Sequence, residues 1–494
     1  MTINELLIRN SCSDKIAIKQ GEQLLTYREW YNSACTAADK INNFLAEQSH
    51  NVVIFMPNSI NYAIAYFGVL FSNRVVVPTG IETTEYELMS LLEYCEVDLI
   101  ISCLACYEKL ERTLQKYPYK CNVLFIEDYS HLVFSPKPYI SKSEGKVEKT
   151  TEDDVAIMLH TSGTTSNPKR VMLTHSNLLH NIQDNIEALK LDENDKVLIA
   201  LPMCFGYCNT SQFLTHLYLH ATIVIYQGMF MPKQFFELVQ KEGITNFTAV
   251  PTMLLMILKY QYIRNYDISS LRLLCFGGSH LSIEHIKEMM QVLPGVDLIH
   301  TYGQTEASPR VTALLKEDIL RKCGSVGKAI PNVEIAIMDD EQIVLEANQI
   351  GEIVVRGKNV MKGYYKQSEI TKQTIVDGWL HTGDLGYIDN EGYLYIAGRK
   401  KNMFISKGIN IYPEEIEEVI AQFDGVKAVR VMGKKHEFLG EVPIAKILID
   451  DNKSFSEELL KRFCMERLST YKIPVTFEIV KDLEQTYNGK IKRN

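Results

Sequence analysis

The sequence lacks a long polybasic run, and its 52 Lys+Arg are outnumbered by 61 Asp+Glu for a formal net charge of −9. That balance argues against nucleic acid as a partner. No basic leader followed by an apolar core stands between Met1 and Asn10, so no signal peptide is expected. Long apolar runs are missing too. The most apolar stretch, Tyr62 to Val77, is broken by Asn73 and Arg74 and stopped by Pro78. It is too short to span a bilayer and predicts a buried helix running into a buried strand. The 11 cysteines follow no repeating spacing. Cys103 and Cys106 form a C-x-x-C with no second pair to complete a zinc site, so both are expected to be inert core residues. Scattered thiols in odd number predict a reduced, cytoplasmic protein. Internal repeats and low-complexity tracts are absent.

What is present is globular. A chain of 494 residues, 46% apolar and 23% charged, exceeds one ordinary core and predicts two or more domains. Short Val- and Ile-rich runs alternate with helical segments through the first two-thirds. Asn51–Phe55, Arg74–Val77, Asp98–Ser102, Val123–Ile126, Val155–Leu159, Lys196–Ala200 and Ala221–Tyr226 read as strands. Pro232–Glu242 and Ile283–Leu293 read as amphipathic helices. Apolar strands separated by helices predict parallel sheets covered on both faces. From Val333 the character shifts to a smaller β-rich unit, with strands at Val333–Asp339, Glu352–Gly357 and Tyr393–Ala397. After Gly398 a compact α+β segment is expected, with helices near Glu414–Gln422 and Glu457–Leu468. The fold class is therefore α/β, with a large domain over 1–398 and a small mobile α+β domain over 399–494. From Arg399 to Asn494 there are 18 Lys+Arg and 15 Asp+Glu, or +3, which leaves −12 for the remainder. A mildly basic lobe facing an acidic body suits capture of a phosphorylated cosubstrate.

The segment Thr161-Ser162-Gly163-Thr164-Thr165-Ser166-Asn167-Pro168-Lys169 follows a predicted buried strand. Small hydroxyl residues around a glycine can turn N–H and O–H donors toward phosphate oxygens, and Lys169 adds positive charge. It is not a Walker A loop, because no glycine precedes Lys169 and no Ser or Thr follows it.

This loop resembles the phosphate loop of the adenylate-forming superfamily, which includes acyl- and aryl-CoA synthetases, adenylation domains of peptide synthetases and firefly luciferase. The resemblance continues in order through Leu201-Pro202, Gly277-Gly278-Ser279, Tyr302-Gly303-Gln304-Thr305-Glu306 and Gly324-Ser325-Val326-Gly327-Lys328. Gly351-Glu352, Thr382-Gly383-Asp384, Gly398-Arg399-Lys400-Lys401, Pro413-Glu414-Glu415-Ile416-Glu417 and Asn488-Gly489-Lys490-Ile491 follow. From Leu25-Thr26-Tyr27 to Lys490 it covers nearly the whole chain.

The resemblance implies an ATP-dependent acid–thiol ligase that forms an acyl-adenylate, releases pyrophosphate and passes the acyl group to a thiol. It implies that Thr161, Ser162, Gly163, Thr164 and Thr165 cradle the β- and γ-phosphates beside Lys169, and that Glu306 holds Mg²⁺. Thr305 would donate to the α-phosphate, Tyr302 would stack on adenine, and Gly278, Ser279 and Gly303 would line the same pocket. Asp384 would accept the ribose hydroxyls, supported by Arg399. Lys490 would sit between the acid's carboxylate and the α-phosphate. Thr164, Phe205, Glu306 and Lys490 are thus the expected catalytic set. Lys401 is the expected hinge of a rotating C-terminal domain, and Gly408 would border the thiol channel. Two departures stand out: Ser166 where the family usually has a second glycine, and Arg170 where glycine commonly follows the lysine.

For the acyl pocket the resemblance implies walls from Phe205, Tyr207, Cys208, Val250, Phe276, Gly277, Thr301 and Ser308. Peptide-synthetase domains that choose amino acids usually place an Asp beside the gate aromatic. Here no acid occurs from Leu201 to Gln212, so an uncharged acyl or aryl acid is favoured, and Thr301 hints at a short or medium one. The acceptor is CoA or, alternatively, a phosphopantetheinyl carrier protein acting in trans, since the chain ends four residues after Lys490. A luciferase-like oxygenase and an amino-acid-activating enzyme remain lower alternatives.

Overall fold

The computed structural model describes residues 1–45, 50–116, 121–126, 150–161, 169–278, 281, 283–400, 404–406, 409–411, 413–437, 439–449, 455–481 and 483. The side chains of Thr161, Gly398, Arg399, Asn410, Glu414, Glu415 and Glu418 lie outside that description.

Three sheets organise the described residues, with 14, 7 and 5 strands. The first begins with parallel strands Ile16–Gln20, Thr222–Ile225, Lys196–Ile199, Asn246–Ala249, Leu273–Gly277 and Asp297–Gly303. It turns antiparallel at Arg310–Leu314 and continues through Ser325–Ala329, Leu394–Arg399, Trp379–Ile388, Gly351–Arg356 and Glu334–Met338. The β-rich unit expected from Val333 onward is therefore an extension of this sheet, with a small core of its own at Val326, Ile337, Ile353 and Leu394. The second sheet is parallel across Val155–Thr161, Val75–Thr79, Asn51–Phe55, Leu99–Ser102 and Asn122–Phe125. Lys169–Thr174 and Gly363–Tyr364 are added antiparallel at one edge.

Local rules position the helices. Thr26 and Thr84 cap Tyr27–Phe44 and Glu85–Tyr94 in reciprocal capping boxes with Glu29 and Glu87, the Thr-x-x-Glu pattern that satisfies two orphan donors at once. The apolar run at Tyr62 forms the buried helix Ile60–Phe71 and then Val75–Thr79. The strand runs one residue past Pro78, which pairs with Ile54 near its end. Helices Tyr27–Phe44, Ile60–Phe71 and His175–Leu189 contribute to one core spanning the first two sheets. A second core gathers Pro232–Glu242, Pro251–Leu258 and Ile283–Val292 on the opposite face of the first sheet. Cys103 and Cys106 are buried, with Sγ atoms 3.7 Å apart. Their mutual hydrogen bond and burial push the Cys106 thiol up, which keeps it inert. Among the described residues no helix is long and apolar enough to cross a membrane, and no cluster of three or more His, Cys, Asp or Glu could hold a metal.

The third sheet joins Ile409–Ile411, Phe404–Ser406, Gly440–Ile449, Val426–His436 and Thr476–Ile479. Its core is separate, built with Ile416, Ile420, Leu460 and Cys464 of its two helices. It meets the large body at Glu87. That carboxylate accepts from Ser469 Oγ at 2.7 Å and Ser469 N at 3.3 Å, and Lys472 Nζ lies 3.4 Å away.

Candidate active site

Strand pairing draws the nucleotide-side residues together. Thr161 pairs with Lys169, so residues 162–168, including Ser162, Gly163, Thr164 and Thr165, connect two hydrogen-bonded strand ends. That connection lies outside the described residues. Lys169 Nζ stands 4.6 Å over the ring of Tyr364. The Tyr364 hydroxyl donates to Glu306 Oε1 at 2.8 Å, and Met361 N donates to the Glu306 carbonyl at 2.9 Å. Tyr364 links the strand end to the expected metal-binding carboxylate. It was missed because nothing in Gly363-Tyr364-Tyr365 marks it as polar chemistry.

A second cluster lies on the antiparallel half of the sheet. Buried Asp384 accepts from the Tyr302 hydroxyl at 2.7 Å and is the cross-strand partner of Arg399. Gly303 is forced by close approach, since a Cβ there would fall 1.9 Å from the Pro309 carbonyl oxygen. Gly278 has φ +82°, in glycine's preferred region. Glu352 anchors the following segment, accepting from Gly383 N at 3.0 Å, His381 Nδ1 at 3.1 Å and Lys400 Nζ at 2.6 Å. Burial pushes this carboxyl up, but those donors outweigh it and hold it below the usual range. Ser279, Lys401, Gly408 and Lys490 lie outside the described residues.

The gate segment reaches the nucleotide side directly. A Cβ on Gly206 would sit 3.6 Å from Thr305 Oγ1, so the glycine next to half-buried Phe205 faces the residue expected at the α-phosphate. Tyr207 then reaches across to Thr301, with the two hydroxyls 2.9 Å apart. The Thr301 hydroxyl donates to the Phe276 carbonyl at 3.1 Å. A hydroxyl has one proton to give, so the Tyr207 hydroxyl donates to Thr301. Burial pushes Tyr207 up to about 12, keeping it protonated in this role. A Cβ on Gly277 would fall 2.5 Å from the Thr301 carbonyl oxygen and 3.2 Å from the Tyr207 hydroxyl. Three of the expected wall residues, Tyr207, Gly277 and Thr301, are thus brought together. Val250 caps the helix Pro251–Leu258 and is nearly buried. Cys208 is fully buried in the main core. Ser308, in the left-handed conformation at φ +69°, is buried with its hydroxyl unpartnered.

One expected wall residue is misplaced. Strand alternation sends the Phe276 side chain opposite Gly277, into the second core, where it stacks on His300 with centroids 4.7 Å apart. One functional candidate was not anticipated. Arg310 is buried, its guanidinium carbon lies 5.8 Å from the Tyr207 ring centre, and its Nε and Nη1 have no hydrogen-bond partner. A signal existed, since Arg310 is the one charged residue in the strand Arg310–Leu314.

Residues 8–365 match the AMP-binding enzyme family and residues 415–490 match the AMP-binding enzyme C-terminal domain. The chain belongs to the adenylate-forming AMP-binding enzymes. A long-chain-fatty-acid–CoA ligase from Bacillus subtilis (strain 168) is 32% identical over 97% of this chain and 91% of its own length. A doubly substituted o-succinylbenzoate CoA synthetase from Bacillus subtilis, bound with its product analogue OSB-NCoA, aligns with TM-score 0.88 at 27% identity. That alignment covers 99% of this chain and 97% of the synthetase. The same synthetase in complex with AMP aligns with TM-score 0.72 at 26% identity, over 99% of this chain and 96% of that one. This AMP-binding enzyme thus superposes more closely on the product-analogue complex than on the AMP complex. It is a ligase that joins a small carboxylic acid to CoA through an adenylate, using ATP and CoA.

Proposed function

We propose that this ligase activates an acid without an α-ammonium group, with Mg²⁺ as the cation and the residues above in the roles their family positions imply. The observation that carries the reading is that Gly206 faces Thr305, where a Cβ would come within 3.6 Å of its hydroxyl, which sets the acid's gate beside the residue expected at the α-phosphate. The donor set fits the nucleotide and the cation. Glu306 has one oxygen engaged by Tyr364 and keeps further acceptor sites, and Mg²⁺ ordinarily takes one or two carboxylates together with phosphates. Bound there, Mg²⁺ would offset charge on the transferring phosphoryl group.

In this reading Phe205 guards the acid's carboxylate, which attacks the α-phosphate held at Thr305 as pyrophosphate leaves. Lys490 stabilises the charge that develops between them. Asp384, oriented by Tyr302, accepts from the ribose. The domain boundary at 398/399 and a hinge at Lys401 allow the C-terminal domain to turn, carrying Lys490 away and bringing Gly408 toward the adenylate for attack by the thiol. The Glu87 contact with Ser469 and Lys472 supports a defined docked position for that domain. An α-amino acid would bring an ammonium with no carboxylate to meet it between Leu201 and Gln212, a cost of several kcal/mol in a buried pocket.

The test is Mg²⁺- and acid-dependent exchange of labelled pyrophosphate into ATP across an aliphatic and aromatic panel. Products are then weighed after adding CoA or, separately, a holo-carrier protein. Exchange and acyl-CoA mass with at least one acid are expected. No exchange with any acid, or acyl transfer only to the carrier protein, would overturn the reading.

A further inference from the structure

The acyl side of the site holds a cation without a counter-charge. Arg310 is 2% exposed; its Nε and Nη1 find no acceptor, and no described carboxylate pairs with it. Its position is imposed by the backbone. Arg310 N donates to Asn181 Oδ1 at 3.2 Å, and Asn181 Nδ2 donates to the Arg310 carbonyl at 2.8 Å. Asn181 is itself fully buried. The guanidinium therefore leaves a fixed point on the strand and lies beside Tyr207, whose hydroxyl meets Thr301 and Gly277.

A guanidinium cannot shed its proton to escape burial. A ring face 5.8 Å away, with the neutral Tyr207 hydroxyl and Cys275 thiol beside the guanidinium, is weak compensation for a buried cation. What answers a buried guanidinium with open Nε and Nη1 donors is an anion such as a carboxylate, accepting a charge-assisted hydrogen bond. Two anions could serve: a carboxylate of the acid that is not being activated, or the reacting centre itself. Tyr207 favours the first, because its hydroxyl reaches Thr301 and Gly277 while its neighbour Gly206 is the residue that faces Thr305.

We infer that Arg310 binds a second carboxylate on the acid, so that the substrate is a dicarboxylic acid activated at one end only. This rests on the acyl pocket proposed above and differs from the expectation of an uncharged acid. The absence of acidic residues at the gate excludes a cationic substrate, and the same absence leaves Arg310 for an anionic one.

The experiment compares matched acids in pyrophosphate exchange. Straight-chain dicarboxylates of four to eight carbons, and phenylpropanoate and benzoate bearing a second carboxylate, are each paired with the analogue carrying methyl in its place. The wild type should favour at least one dicarboxylate roughly a hundredfold or more in kcat/KM, as expected when a buried polar group loses its partner. Arg310→Met should bring that ratio to about one or below, mainly by raising KM for the dicarboxylate. Arg310→Lys, keeping the charge without the guanidinium, should hold an intermediate ratio. Preference for the methyl analogues throughout the wild-type panel would overturn the inference, even if Arg310→Met does not fold. Equal loss on both members of each pair in Arg310→Met would also overturn it, assigning Arg310 to the reacting centre. Exchange supported by neutral acids alone sinks this inference and leaves the proposed function standing; exchange with no acid at all sinks that function.

Discussion

The two halves of the site treat hydrogen bonding differently. On the nucleotide side the carboxylates already have donors from the chain: Tyr302 for Asp384, Tyr364 for Glu306, and three groups for Glu352. On the acyl side Arg310 and Ser308 keep buried polar atoms with no partner. The difference matters because acceptors and donors tolerate saturation unequally. A carboxylate that accepts one bond retains other lone pairs and can still receive ribose or metal. A buried N–H without an acceptor costs free energy until something arrives. The carboxylates expected at the nucleotide are therefore held by the chain before binding, while the buried donors of Arg310, like those of Arg170 beside Lys169, are not.

Substitutions can break or sharpen that contrast. The largest effect is expected from Lys490→Ala, which should lower pyrophosphate exchange roughly a hundredfold or more for every acid alike. Conversion of chemically prepared acyl-adenylate to thioester should continue near the parent rate. Equal damage to both steps, with circular dichroism unchanged, would remove the separation of half-reactions.

Gly277→Ala comes next. The new Cβ would press on the Thr301 carbonyl oxygen at 2.5 Å and on its hydroxyl at 2.7 Å, and such overpacking costs about 1–3 kcal/mol. Thermal unfolding should register that loss, and KM for the acid should rise while KM for ATP holds. A shift in KM for ATP would mean that the two halves are not independent.

Tyr302→Phe probes the other half. It removes a donor to a buried carboxylate, an interaction of about 1.5 kcal/mol or more, so KM for ATP should rise roughly tenfold. The ratio of activities between any two acids should stay constant, as measured by exchange with both at saturating ATP.

The smallest effect is expected at the contact between body and C-terminal lobe. Glu87→Gln keeps a capping acceptor but removes the charge facing Lys472, where a partly buried pair contributes on the order of 1 kcal/mol or less. Thioester formation from prepared adenylate should slow by a few-fold with exchange unchanged. An equal slowing of exchange would show that Glu87 merely stabilises the helix it caps.

Much of the scaffold was legible in one dimension. Asn51–Phe55 and Pro232–Glu242 form with the expected bounds, because a buried parallel strand must be apolar throughout and a surface helix must be periodic. The inert Cys103–Cys106 pair was legible as well, by the missing second pair of ligands. The wall at Phe276 was not. Motif position alone does not say which way a strand residue points, and alternation placed the ring in the second core.

By itself the sequence determined the ordered motifs, the chain segments that carry them, and hence the family and its adenylate chemistry, because these depend on local residue type and spacing. Tertiary structure decided which distant groups meet. Tyr364 reaches Glu306 across 58 positions, Asn181 holds the backbone of Arg310 across 129, and Glu87 meets Lys472 across 385. Such contacts follow from sheet register and the docking of cores, which no local pattern encodes. Whether a buried charge has a partner is a property of the assembled neighbourhood, so Arg310 becomes informative only once every group around it is in place.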